Sequence, residues 1–133
     1  MDVATRRLVR SRAELRCEYC RIHEDDEPFS FHVEHIVARK HGGRSVASNL
    51  AWACQNCNLG KSSNLSGRVR GETVELFHPR RQRWSRHFRW SGPRLIGRTK
   101  CGQATIRVLN INAPDRVQLR KLLMALGEFP PTD

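Results

Sequence analysis

Four of the five cysteines fall in two pairs, Cys17-x-x-Cys20 and Cys54-x-x-Cys57, with 33 residues between the pairs. Two such knuckles can bring four thiolates to the corners of a tetrahedron around Zn²⁺. Four thiolates leave no coordination position for water, so this zinc would be structural. Its loop is long enough to hold a whole hairpin, which the metal would close at the base. The competing readings are two disulfides, which a reducing compartment disfavours, and four unrelated thiols. Cys101 is left over and reads as a small buried apolar residue.

Between and just after the knuckles lies a second group: Phe31-His32-Val33-Glu34-His35-Ile36-Val37, then Gly42-Gly43, Asn49-Leu50, Asn58 and Lys61. These residue types suit hydrolysis of a phosphodiester. Water must lose a proton near neutral pH, which an imidazole can accept. Charge growing on the phosphate and on the leaving oxygen calls for a hard cation. Such a cation prefers a carboxylate and an amide carbonyl as ligands and keeps several waters. Glu34 and His35 are adjacent, so a regular strand would point them to opposite faces. They serve one site only if the strand ends or bends at His35. Lys61 lies one helical turn after Asn58, in position to contact a phosphate. His32, His41 and His23 read mainly as bystanders, with His41 in a loop that could meet nucleic acid.

The run HVEHIVARKHGG…SNLAWACQNCNLGK resembles the HNH, or ββα-metal, endonuclease motif in its four-cysteine version. The similarity spans about residues 17–64. It implies that His35 is the general base and that Glu34, where Asp is commoner, is a ligand of the catalytic metal. It implies that Asn49 is the middle residue, bonding across the loop and helping to orient His35. Asn58 would be the second metal ligand, standing where many relatives have His. The cofactors implied are structural Zn²⁺ and a catalytic Mg²⁺ or Mn²⁺. The stretch ELFHPRRQRWSRHFRW also resembles the tail of small free-standing bacterial HNH proteins, and no site is assigned from that.

The expected fold class is α+β. A ββα-metal core over residues 12–66 would be stapled by a four-cysteine zinc site, after an N-terminal helix. A basic α+β extension would follow over 67–133, the whole forming one domain. Residues 3–16 read as helix, with Ser11 and Glu14 as a capping box that restarts it before Cys17. Alternation predicts a strand over 31–36, and the short apolar run 49–53 reads as a returning strand, with a loop over 37–48. A helix is expected from Gln55 to about Leu65. Gly67–Gly71 reads as a seam and Thr73–Phe77 as a strand. Gln82–Trp90 reads as a helix with Trp84, His87 and Phe88 on one face, and Arg94–Gly97 as a strand. Gln103–Leu109 stays open between helix and strand. Pro114–Leu126 reads as a helix with Val117, Leu119, Leu122, Leu123 and Leu126 on its apolar face.

The 133-residue chain is 38% hydrophobic and carries a net charge of +11. The charge is uneven: residues 1–66 carry 10 Lys/Arg against 8 Asp/Glu, and residues 67–133 carry 14 against 5. That asymmetry points to a polyanion partner, the blander alternative being a solubilising surface. Arg80, Arg81, Arg83 and Arg86 are the expected DNA-gripping residues, with Arg89 beside them and the interleaved aromatics packed inside. No apolar run suits a bilayer or a secretory signal, so a cytoplasmic location is expected. The partner expected is DNA, with RNA open because the motif reads a phosphodiester rather than a sugar. Monomer and homodimer are both open. The alternative to an endonuclease is a zinc-bearing nucleic-acid-binding module without catalysis.

Overall fold

A computed structural model describes residues 1–132. Helix α1 (Val3–Arg12) is capped by Asp2, whose side chain accepts the Thr5 N–H at 2.7 Å. The expected restart of the helix before Cys17 does not occur. Ser11 Oγ donates to the Arg7 carbonyl instead of capping, and Glu14 and Leu15 both take positive φ, which turns the chain into the first knuckle.

Strands β1 (His32–His35) and β2 (Leu50–Ala53) form an antiparallel hairpin in which Glu34 faces Ala51 and His35 faces Leu50. Helix α2 (Gln55–Lys61) follows at once, with Cys54 as its N-cap. It stops at Lys61, earlier than expected, because Ser62 leaves helical geometry at φ 50°. This is the expected ββα order.

The expected seam at Gly67–Gly71 is itself structure. β3 (Ser66–Val69) and β4 (Glu72–Glu75) pair as a hairpin around Arg70-Gly71. Both turn residues have positive φ, 50° and 81°, as a two-residue type I′ turn requires. The expected helix over 82–90 is only α3 (Trp84–His87), because the chain then extends as β5 (Phe88–Ser91). β5 pairs with β6 (Arg94–Gly97) across Gly92-Pro93. The ambiguous stretch is helix α4 (Lys100–Val108), capped by Thr99. Its position against the β3–β4 and β5–β6 hairpins gives the extension its own packed layer.

Helix α5 (Pro114–Ala125) starts at its proline as expected, but its buried face differs. Arg116, Arg120 and Leu123 are buried, whereas Leu122 and Leu126 are exposed. Arg120 donates to the carbonyls of Pro93 at 2.7 Å and Ile111 at 3.0 Å and lies over the Trp90 ring. Arg116 pairs with Glu27. A guanidinium with several acceptors can replace an aliphatic side chain in such a seat. The aromatics do pack inside: Trp84 and Phe88 are buried 5.1 Å apart, and Trp90 lies 4.9 Å from Phe129. Among the described residues no helix is long and apolar enough to cross a membrane.

Candidate active site

The four knuckle cysteines are buried, and their sulfur atoms all lie within 4.8 Å of one another. Cys20 Sγ and Cys54 Sγ are 3.7 Å apart. Zn–S bonds of ~2.3 Å in a tetrahedron place sulfurs ~3.8 Å apart, whereas a disulfide needs ~2.05 Å. The spacing fits zinc and excludes disulfide pairing in this arrangement. Within each knuckle a backbone N–H points at the first sulfur, Cys20 to Cys17 at 3.5 Å and Cys57 to Cys54 at 3.4 Å. Hydrogen bonds from its neighbours hold the Cys20 thiol well below its ordinary pKa, while Cys17 and Cys20 push Cys54 and Cys57 up. Four crowded thiols cannot all ionise unaided, and a dication supplies the compensating charge. Cys101 lies outside this group, half-buried, with its thiol 3.9 Å from Gln82 Oε1.

Asn49 pins the loop between the strands. Its Oδ1 accepts the Val37 N–H at 2.9 Å, and its Nδ2 donates to the carbonyls of Val37 at 3.0 Å and Arg44 at 2.9 Å. The loop closes tightly enough that a Cβ on Gly43 would stand 1.7 Å from the Val37 oxygen and 2.9 Å from Asn49 Nδ2. Gly43→Ala is therefore expected to cost about 2 kcal/mol or more through backbone displacement. A thermal melt beside the parent protein measures this.

Glu34 and Lys61 meet in the interior. They are 5% and 2% exposed. Lys61 Nζ stands 2.6 Å from Glu34 Oε1 and donates to the Ile36 carbonyl at 2.7 Å. Tyr19 donates its hydroxyl proton to Glu34 Oε2 at 2.6 Å. Burial raises the Glu34 pKa, and Lys61 and Tyr19 pull it back. The phosphate contact expected of Lys61 is thus corrected: the helix ends beneath β1 and its last side chain turns inward. Breaking a buried ion pair from one side typically costs about 3–5 kcal/mol. Lys61→Met is expected to lose stability in that range in urea denaturation at neutral pH. The deficit should shrink as pH falls, because an acid whose folded pKa is raised takes up its proton in the folded state first.

His35 sits at the end of β1 with a partly exposed ring whose Nε2 is 2.8 Å from Ser45 Oγ. Burial first, then the charges of Arg39 and Lys61, lower its pKa below the ordinary 6.5. That shift favours the neutral imidazole. Asn58 is half-buried on α2, and among the described residues its side chain makes no hydrogen bond. Glu34 is buried against Tyr19 and Lys61, whereas His35, where the strand ends, is partly exposed and bonded to Ser45. Lys61 links them: the same ammonium that meets Glu34 also lies 3.4 Å from the His35 carbonyl. No hydrogen bond joins Asn58 to either.

Residues 17–64 match the HNH endonuclease family model. The matched segment is the zinc knuckles together with the ββα unit just described. The match begins at Cys17 and ends just beyond α2. Comparison with curated proteins and with solved structures gives no match.

Two oxygens bear on a second cation beside the HNH motif. Glu34 Oε1 is buried with no aligned hydrogen-bond donor, the Lys61 contact being one of charge. The Asn58 amide oxygen is free. A carboxylate oxygen and an amide oxygen are the hard donors a divalent ion takes. Their donor chemistry suits such an ion, and Lys61 holds the place at Oε1.

The arginines separate into two kinds. Arg80 is turned inward onto buried Glu18, which also accepts the Trp52 N–H at 2.8 Å. Burial, with Arg12 nearby, pulls its pKa down to about 10. Its expected DNA contact is corrected to a structural pair between the extension and the first knuckle. Arg81, Arg83 and Arg86 are exposed and line one shallow depression with Gln82 and His87.

Three residues escaped the sequence reading. Tyr19, inside the first knuckle, holds Glu34, and Ser45 holds His35. His78 comes beside the HNH core from the extension. For His78 the His-Pro-Arg-Arg run offered a signal; for the other two, none but proximity in space.

Proposed function

We propose that the chain is a metal-dependent DNA endonuclease in which His35 activates the attacking water. The observation that carries this reading is a partly exposed imidazole held by Ser45 at the end of the hairpin, with burial and nearby cations lowering its pKa. With Nε2–H donating to Ser45 Oγ, the lone pair sits on Nδ1, which accepts the proton of water. Asn49 keeps the loop that carries Ser45 folded against β1. Glu34 and Asn58 would hold a divalent ion such as Mg²⁺ or Mn²⁺, which supplies positive charge for the phosphate and the leaving oxygen. Arg81, Arg83 and Arg86 grip backbone phosphates, which positions the duplex without reading its sequence. The three are exposed and share one depression on the extension.

Residues 12–66 carry the chemistry in this reading, and residues 67–133 supply the binding surface. The test is conversion of supercoiled plasmid in Mg²⁺ or Mn²⁺. Nicked or linear product, lost when the divalent ion is withheld, is expected. Tight salt-sensitive binding with no conversion under either metal would instead leave a zinc-held binding module.

A further inference from the structure

A cavity of about 320 Å³ lies where the HNH core meets the extension. Ligand sites typically span ~300–1,000 Å³, so this one suits a single small ring system with its substituents. Ile36, Leu65 and Leu76 give it an apolar wall. His78, Arg81 and Gln82 bring polar groups from the extension, and Lys61 and Asn64 bring them from the core.

The polar groups are oriented as donors. The Arg80 N–H donates to His78 Nδ1 at 3.2 Å. A neutral imidazole accepting at Nδ1 must carry its proton on Nε2. The oxygen of Gln82 is occupied by the His78 N–H at 2.8 Å, so its amide NH₂ is the end left to donate. Arg81 is exposed and cationic. Glu75 is the one carboxylate among the lining residues. Burial and the neighbouring Arg81 favour the uncharged form of His78.

Position completes the argument. Ile36 and Val37 line the cavity and directly follow His35 in the chain. Lys61, also in its lining, donates to the Ile36 carbonyl at 2.7 Å. A flat apolar ring with acceptors on its edge, joined to an anion, satisfies the wall, the donors and the cation together. A nucleotide has that composition.

We propose that this cavity takes one nucleotide of the substrate strand, base against Ile36, Leu65 and Leu76, acceptor edge on His78 Nε2–H, phosphate on Arg81. The assignment rests on the nuclease reading for the identity of its ligand, but it makes a binding site that needs no cleavage. His78 is then a specificity-determining residue supplied by the extension.

The test is titration of the full-length zinc-loaded protein with each of the four deoxynucleoside monophosphates, followed by NMR of the histidine and arginine side chains. Inorganic phosphate is the control. Saturable shifts at His78 and Arg81 are expected, for at least one nucleotide and far weaker for phosphate. His78→Ala should weaken that binding about tenfold, the upper range for a lost hydrogen bond, and His78→Gln should recover most of it. Should His78→Ala fail to fold, Arg81→Ala on the exposed rim is expected to weaken nucleotide binding instead. No saturation with any nucleotide, equal shifts with phosphate alone, or binding indifferent to these variants would overturn the proposal. A protein that binds nucleotide at His78 but never cuts plasmid refutes the nuclease reading and spares this one. A protein that cuts but leaves His78 unshifted does the reverse.

Discussion

Cys54→Ser is expected to abolish zinc binding and, with it, cooperative folding of the chain. Apparent zinc affinities at such structural sites are worth about 10–16 kcal/mol, comparable to or above the whole stability of an ordinary domain at about 5–15 kcal/mol. A zinc ion held by these thiols would tie Cys17 and Cys20, which precede the hairpin, to Cys54 and Cys57 at the start of α2. The hairpin and its loop are enclosed by that tie, and α2 leaves directly from it. The substitution also separates two roles. Cys54 caps α2 through its sulfur, and a serine hydroxyl caps a helix well, so a loss of structure reports on the metal rather than on the cap. Metal content by mass spectrometry and a circular dichroism melt measure both halves. A variant that melts cooperatively without zinc would contradict the staple.

His35→Ala is the second large effect. A positioned general base typically contributes 10²–10⁴-fold to rate, so cleavage is expected to fall by about that factor. Stability should change little, because the ring is partly exposed and its hydrogen bond reaches an exposed serine. DNA affinity should also hold, since the gripping arginines lie on the extension. Single-turnover cleavage beside a binding isotherm separates the two quantities. A drop in affinity equal to the drop in rate would place His35 in binding rather than in chemistry.

Much of this architecture was legible in the residues. Paired cysteines announce a metal site through spacing alone, and the alternation of Phe31–Ile36 gave the first strand within one residue at either end. Pro114 marked the start of α5 because proline has no N–H to waste there. What was hidden depends on contacts between distant stretches. Lys61 looked like a surface cation because lysines usually are, and only the inward end of α2 makes it the partner of Glu34. Arg80 looked like part of a DNA-facing surface until Glu18 claimed it. The β3–β4 hairpin was missed because its glycines resemble a linker, although Arg70-Gly71 supplies the two positive φ angles a tight turn needs. The α5 face was misassigned because two arginines, rather than leucines, fill its seat.

The most direct test of the account is the pH dependence of single-turnover plasmid cleavage at saturating Mg²⁺. A base that must be unprotonated gives a rate that rises with pH through its pKa and then levels. Because burial, Arg39 and Lys61 depress the His35 pKa, the rise should be centred below 6.5 and then level. His35→Ala should lose both the plateau rate and the inflection. A wild-type profile with no inflection below 6.5, or one that His35→Ala leaves in place, would contradict water activation by His35.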